Sequence, residues 1–403
     1  MSKSNGEVKG NENYVQHASM TDYKSIISLE VDFKPGLNII IGKNGSGKTN
    51  FLSGLNSFLD SNYKPDSHTK LKAHVDNDQI EIELKPEKND SLRDDILFQP
   101  KPNLSLKING KKSNFNVFHD FLLYALYQEG YYINKKFVKY EQIYGLDTKF
   151  ISIPLTLMFF NNGKLSNDWR DVTESIGSKF VDTFFMALLG QVVGLYNFNV
   201  NTILMPEKLK TGIDAFAEIF LENLNEHITK YSPIRKIRLN PDFKVISEAA
   251  LKKLTIANFS IEYLVNDTWL TYTMLSDGTR RLFTIISEVL SDNITTSHAV
   301  SLNLIFLEEP ELGIHPHQLH SLMQFLKEQS KQKQIIITTH SPQVLDTLEP
   351  DELDRIIICH YDSKNGTQLS HLSEQEASKA KKYMEAEAFL SDYWRFSDLE
   401  PAN

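Results

Sequence analysis

A chain of 403 residues with a net charge of -9, 41% apolar and 24% charged residues is that of an ordinary globular protein, long enough for one large α/β domain with an inserted lobe or for two domains. One cysteine, Cys359, excludes a disulfide framework and fits a reducing cytosol, so a cytoplasmic protein is expected. The acidic balance argues against a uniform nucleic-acid-binding surface but leaves a local basic groove open.

Residues 1–20 are polar, contain no apolar core of a signal peptide, and are expected to form a disordered tail. From Ile27, the apolar residues Ile27, Leu29, Val31 and Phe33 alternate with Ser28, Glu30 and Asp32, which predicts a strand with one buried face. Lys34-Pro35-Gly36 suits a type II turn, and Leu37 to Ile41 reads as a central strand, apolar on both faces. Gly42 to Thr49 then fits the phosphate-loop template G-x-x-x-x-G-K-[ST], and Phe51, Leu52, Leu55, Phe58 and Leu59 follow at helical spacing. Gly42, Gly45 and Gly47 let successive N–H groups turn inward around a polyphosphate at the helix N-terminus. Lys48 can reach the β- and γ-phosphates, and the Thr49 hydroxyl can ligate Mg²⁺.

Antiparallel strands are expected between His74 and Gly110, with a turn at Asn109-Gly110, and another core strand at Ile151 to Phe160. From Asn161 to about Ser247 the pattern becomes helical, with Phe184, Phe185, Leu188 and Leu189 on one face and a second helix from Ile213 to Ile228. The apolar stretch Phe180 to Phe198 is interrupted by Asp182, Gln191 and Asn197, so it reads as a buried lobe helix and no membrane span is expected. Sustained heptads are absent, which favours a compact helical lobe over a coiled-coil arm.

Strands at Ser260 to Val265 and Thr268 to Met274 meet at Asn266-Asp267 and lead to Leu275-Ser276-Asp277-Gly278-Thr279-Arg280-Arg281, ahead of an apolar helical face. By itself Ser276 reads as an ordinary N-cap before it reads as a functional residue. The apolar run Leu302 to Leu307 ends in Glu308-Glu309-Pro310-Glu311, and carboxylates at the C-terminal end of a buried strand sit where open α/β sheets bind ligands, or else form a solvated strand end. Pro316 opens a helix, so the trio His315, His317 and His320 reads as a helix start before it reads as a metal site. Gln334 to Ile337 is a further apolar strand ending at Thr338-Thr339-His340-Ser341-Pro342, where His340 either contacts a γ-phosphate or caps the next helix. A strand from Arg355 to Cys359 and a charged helical tail from Ser373 complete the chain.

Taken in order, Gly-Lys-Asn-Gly-Ser-Gly-Lys-Thr-Asn, Leu-Ser-Asp-Gly-Thr-Arg-Arg, Glu-Glu-Pro-Glu-Leu-Gly-Ile-His-Pro and Thr-Thr-His-Ser-Pro resemble the core of ABC-type ATPases. They look like the soluble branch containing RecF, Rad50 and SMC proteins, most of all the OLD-like "AAA family" ATPases of bacterial defence systems. The resemblance covers Asp22 to about Ser61 and Ile261 to about Cys359. It implies an α/β fold: an ABC-type P-loop NTPase core with a mixed central sheet, an antiparallel β subdomain and an inserted helical lobe. The expected boundaries are a tail at 1–20, core at 21–160, helical lobe at 161–250, core again at 251–372, and a helical tail at 373–403.

The resemblance also implies roles. Asn44, Gly45, Ser46, Gly47, Lys48, Thr49 and Asn50 would hold ATP, with Tyr23 as a candidate for stacking on adenine. Thr49 and Glu308 would hold Mg²⁺, Glu309 would be the general base, and His340 the switch histidine near the γ-phosphate. Ser276 and Gly278 resemble the signature motif, which in this family contacts the nucleotide of the other subunit, so a homo-oligomer, at least a head-to-tail dimer, is expected. Glu308 stands where the family usually has Asp, which predicts slow hydrolysis, and no Q-loop glutamine can be placed. Only 63 residues follow His340, where OLD nucleases continue into a Toprim domain, so the effector, such as a nuclease or toxin, is expected to be a separate protein. The alternatives are a RecF-like DNA-repair ATPase using Arg235, Lys236, Arg238, Lys252 and Lys253, a transporter ATPase subunit, and a non-hydrolysing ATP clamp.

Overall fold

The computed structural model describes residues 12–60, 67–85, 103–113, 126, 130–139, 155–158, 206–248, 253–291, 300–386 and 389–396. The expected helices between residues 161 and 205, including the stretch from Phe180 to Phe198, lie outside them. By its contacts the chain forms two units. The first comprises Met1–Val138, Ile294–Glu311 and Leu326–Asn403, and the second Lys139–Asn293 and Leu312–Phe325.

The first unit is built on one sheet. Its strands are β1 (Tyr14–Tyr23), β2 (Ile26–Asp32), β3 (Leu37–Ile41), β4 (His68–Val75), β5 (Asp78–Lys85), β6 (Asn103–Ile108), β7 (Lys111–Lys112), β8 (Tyr131–Val138), β15 (Val300–Glu308), β16 (Gln334–Thr339), β17 (Ile356–Asp362) and β18 (Gly366–His371). The numbers between belong to the second unit: β9 (Leu155–Met158), β10 (Lys236–Leu239), β11 (Lys244–Glu248), β12 (Lys253–Ala257), β13 (Ile261–Val265) and β14 (Thr268–Thr271). The sheet order is β7-β6-β5-β4-β1-β2-β18-β17-β3-β16-β15-β8. Strands β8, β15, β16, β3 and β17 run parallel, and the remaining neighbours pair antiparallel. The expected mixed core and antiparallel subdomain are thus halves of one sheet.

β3 and β16 are buried along their whole length, as continuous apolar strands flanked on both sides must be. The one polar residue of β3, Asn38, is satisfied by the preceding turn: its Oδ1 accepts from the Lys34 N–H and its Nδ2 donates to the Lys34 and Gly36 carbonyls. Helix Lys48–Leu59 lays Phe51, Leu52, Leu55 and Phe58 into the core that also holds Ile40, Ile336 and Phe306. At the far end of this unit, a capping box of Ser373 and Glu376 starts helix Glu374–Glu385, and Asp346 receives the Ser391 N–H and hydroxyl, anchoring helix Leu390–Phe396.

Three expectations are corrected. Residues 14–20 belong to β1, a full member of the sheet between β4 and β2, and are no tail. The alternation in β2 starts from Ile26, which is buried, whereas Ile27 is exposed. The helix expected at Ile213 to Ile228 lies within helix Pro206–Tyr231, but β10 and β11 follow it where the helical pattern was expected to continue to about Ser247.

In the second unit β10-β13-β14 and β11-β12-β9 form two small sheets. Asn266 and Asp267 both have positive φ (48° and 62°), as a tight type I′ hairpin requires. Helix Asp277–Leu290 packs on helix Pro206–Tyr231. Residues 251–293 therefore group with the lobe, where the motif order had assigned them to the core.

Candidate functional site

The phosphate loop leaves β3 at Gly42, whose N–H donates to the Thr339 carbonyl at 3.4 Å. A Cβ on Gly42 would lie 2.0 Å from the Cys359 carbonyl oxygen, so β17 passes at a distance only glycine permits. Gly45 and Gly47 adopt φ of 82° and 104°, the left-handed region that turns the loop back on itself. Gly47 then caps helix Lys48–Leu59 without any side-chain bond, and no acidic residue stands in its first turn. A helix start with no side-chain cap and no competing carboxylate is a ready anion site.

Lys48 is buried along its stem and donates to the carbonyls of Gly42 (2.6 Å) and Lys43 (3.0 Å), which folds the loop around its ammonium group. Asn44, Gly45 and Thr49 are exposed, and the buried Ser46 hydroxyl has no hydrogen-bond partner. Asn50 serves the scaffold: its Nδ2 donates to Ser25 Oγ (2.7 Å), which is paired with Thr367 Oγ1 (2.7 Å).

The acidic end of β15 lies two strands from β3. Glu308, Thr338 and Ile40 are paired in register across β15, β16 and β3, so their side chains share the sheet face covered by helix Lys48–Leu59. The Thr338 hydroxyl on that face is fully buried and has no hydrogen-bond partner. The orphaned Thr338 hydroxyl, the exposed Thr49 hydroxyl and the Glu308 carboxylate are all oxygen donors, which is the chemistry that suits a hydrated Mg²⁺.

Glu309 has a φ of 44°, a left-handed conformation rare for glutamate, and its N–H is held by the Thr338 carbonyl at 2.8 Å. His340 Nδ1 lies 3.4 Å from Glu309 Oε1 and 3.6 Å from Glu311 Oε1. Glu311, which sequence reasoning passed over, also accepts from Thr339 Oγ1 (2.5 Å) and from the His340 N–H (3.2 Å). Burial pushes its carboxyl up from the ordinary glutamate value, and the Thr339 hydroxyl and its other hydrogen bonds offset part of that push. Lys48, Glu308, Glu309 and His340 are thus gathered at the C-terminal ends of adjacent strands.

Tyr23 does not fit its expected role. Its ring is 7% exposed in the main core, beside Gly54 and under the Lys24 ammonium, and is packed instead of presented to a base.

In the second unit Ser276 is the N-cap of helix Asp277–Leu290, accepting from the Thr279 N–H. Gly278 faces the backbone of Gly313, whose oxygen would lie 2.8 Å from a Cβ there. His315 caps the next helix by accepting from the His317 N–H, His320 pairs with Gln324, and no metal-binding cluster occurs among the described residues. The basic candidates are largely neutralised: Arg235 pairs with Asp267 at 2.6 Å, and Arg238 pairs with Glu262 at 2.9 Å and stacks on Trp269. Lys252 and the side chain of Lys253 lie outside the described residues.

Residues 18–153 match the family described as "AAA ATPase domain", and residues 201–346 the family described as "AAA domain, putative AbiEii toxin, Type IV TA system". The Retron Vc95 probable ATPase of Vibrio cholerae is 22% identical over 92% of this chain and 79% of its own length. The DNA replication and repair protein RecF of Lactobacillus acidophilus is 31% identical, but over only 18% of this chain and 22% of its own length. Among solved structures, the SMC head bound to the C-terminal winged-helix domain of ScpA covers 91% of this chain and 99% of its own with a TM-score of 0.53 at 14% identity, a likeness of fold. No helix among the described residues is long and apolar enough to cross a membrane. Motif order, family matches and sheet agree: the chain is an ATPase with the fold of an SMC head, and its motifs resemble those of RecF and related proteins.

Proposed function

We propose that this ATPase is a nucleotide-gated sensor or scaffold of a bacterial anti-phage defence system, closing as a homo-oligomer around ATP and controlling a separate effector such as a nuclease or toxin. The observation that carries the ATP chemistry is the convergence of Lys48, Glu308, Glu309 and His340 on β3, β15 and β16. The defence reading is supported by the retron-associated relative, which aligns along nearly the whole chain.

The loop amides and Lys48 hold the phosphates. Glu309 takes a proton from the water that attacks the γ-phosphorus as the bond to the β–γ bridging oxygen breaks. His340 donates to the γ-phosphate oxygens, and Ser276 and Gly278 of a second copy complete the charge stabilisation. Positioning and electrostatics are the main levers of phosphoryl transfer, so a site divided between copies makes turnover depend on assembly. Thr49 and, through water, Glu308 would hold Mg²⁺, which neutralises charge on the β- and γ-phosphates. Glu308 is one methylene longer than the usual Asp, which supports slow turnover.

The test is co-purification of this protein with the product of the adjacent gene, with and without ATP. ATP-dependent association supports the reading. Its absence, together with tight, salt-sensitive binding of duplex DNA, would replace it by the RecF-like one.

A further inference from the structure

The Glu311 carboxylate is a costly thing to keep. Its side chain is 7% exposed, and Oε2 has no hydrogen-bond partner. A buried charge that only filled space could be replaced by a neutral amide with the same shape. Oε1, however, meets three points where β16 ends: the Thr339 hydroxyl, the His340 N–H and the His340 ring. The Thr339 hydroxyl in turn accepts from the Ser341 N–H at 2.9 Å, so the carboxylate also braces the residue after the histidine.

We propose that Glu311 is the positioning carboxylate of His340, fixing its main chain through the His340 N–H and the Thr339 hydroxyl so that the ring is held toward the γ-phosphate. This rests on the reading of His340 as the γ-phosphate contact.

Two geometric facts support it. Both carboxylates approach the same ring nitrogen, at 3.4 Å from Glu309 and 3.6 Å from Glu311, beyond hydrogen-bond length in each case. The hydrogen bond that ties His340 to Glu311 is therefore the one from its main-chain N–H, at 3.2 Å. Secondly, the Thr339 hydroxyl donates to Glu311 Oε1 and accepts from the Ser341 N–H, so the residues on both sides of His340 are tied to the same carboxylate. Glu311 reaches His340 from 29 positions away, through the turn that follows the two acids. The turn that carries the base thus also carries the group that positions the histidine.

The experiment is a double-mutant cycle on the full chain, reading kcat and ATP affinity separately. Glu311→Gln is expected to leave ATP affinity unchanged and lower kcat by about 10- to 100-fold, the usual effect of a misplaced catalytic group. In a His340→Ala background the same substitution is expected to have no further effect on kcat. Thr339→Val, which removes the hydroxyl donor, is expected to lower kcat in the same direction and keeps the test open should Glu311→Gln not fold. Wild-type turnover in Glu311→Gln, or losses that multiply with those of His340→Ala, would overturn the positioning role while leaving His340 in place. Wild-type turnover in His340→Ala would instead remove the γ-phosphate reading itself, and the positioning role with it.

Discussion

The Thr367 hydroxyl stands where a side chain on Gly47 would have to go: a Cβ built there falls 1.9 Å from Oγ1. The last hairpin of the sheet therefore forms one wall of the phosphate loop, and the Asn50–Ser25–Thr367 chain holds that wall in place.

Gly47→Ala is accordingly expected to abolish nucleotide binding, since both φ and the Thr367 contact forbid it. Gly45→Ala faces open space and meets only the left-handed backbone cost of about 1–2 kcal/mol. It should weaken ATP binding less. Titration of both variants with a fluorescent ATP analogue checks the order; equal losses would mean that the Thr367 wall is irrelevant.

Lys48→Ala and Glu309→Gln should separate binding from chemistry. The first removes the ammonium that closes the loop, and nucleotide binding is expected to vanish. The second keeps the shape of the strand end but not a proton acceptor, so ATP stays bound, the closed oligomer accumulates, and turnover falls by roughly 100- to 10,000-fold. Phosphate release and sizing chromatography read the two effects, and unaltered turnover in Glu309→Gln refutes its assignment as base.

The signature residues need a test that distinguishes scaffold from contact. Ser276→Ala loses an N-cap worth about 1 kcal/mol, whereas Ser276→Asn keeps the cap. A γ-phosphate contact predicts that the Asn variant is as stable as the parent yet turns over ATP more slowly; restored turnover would reduce Ser276 to a cap. Gly278→Ala gains about 1 kcal/mol of helix propensity but presses on the Gly313 backbone, an overpacking cost of about 1–3 kcal/mol. A lower melting temperature is expected.

Glu311 makes stability depend on pH. Its folded pKa is raised above the ordinary value of 4.5, so the folded state holds this proton more tightly than the unfolded chain does. The contribution is fully present below the unfolded value and is lost as pH rises through the folded one. Glu311→Gln should therefore gain stability relative to the parent as pH rises from 4 to 8, measured by denaturant unfolding. A difference that is constant with pH would contradict the buried carboxyl.

What could be read in advance was local. The phosphate loop, the Asn109-Gly110 and Asn266-Asp267 hairpins and the apolar runs of β15 and β16 are set by neighbours in sequence. β1 escaped because a register shift between Val15 and His17 buries Val15, Ala18 and Met20 at unequal spacing, and no two-residue period survives. Ile27 was misread because the strand changes face between Ile26 and Leu29. Tyr23 is taken out of reach by Gly54 and Met20, and Glu311 gains its meaning from Thr339 and His340. Such contacts leave no trace in spacing.

Strand β3 ends at Ile41, but its two neighbours begin only at Gln334 and Ile356. At the usual pace of synthesis a ribosome takes roughly 15–60 s to travel from one to the other. For that time Leu37 to Ile41 is an apolar strand without a sheet, and the loop behind it has neither its Thr339 nor its Thr367 wall. The phosphate loop of the newborn chain is thus incomplete until its final sixth emerges, and shielding those five residues is a task for whatever chaperone meets it first.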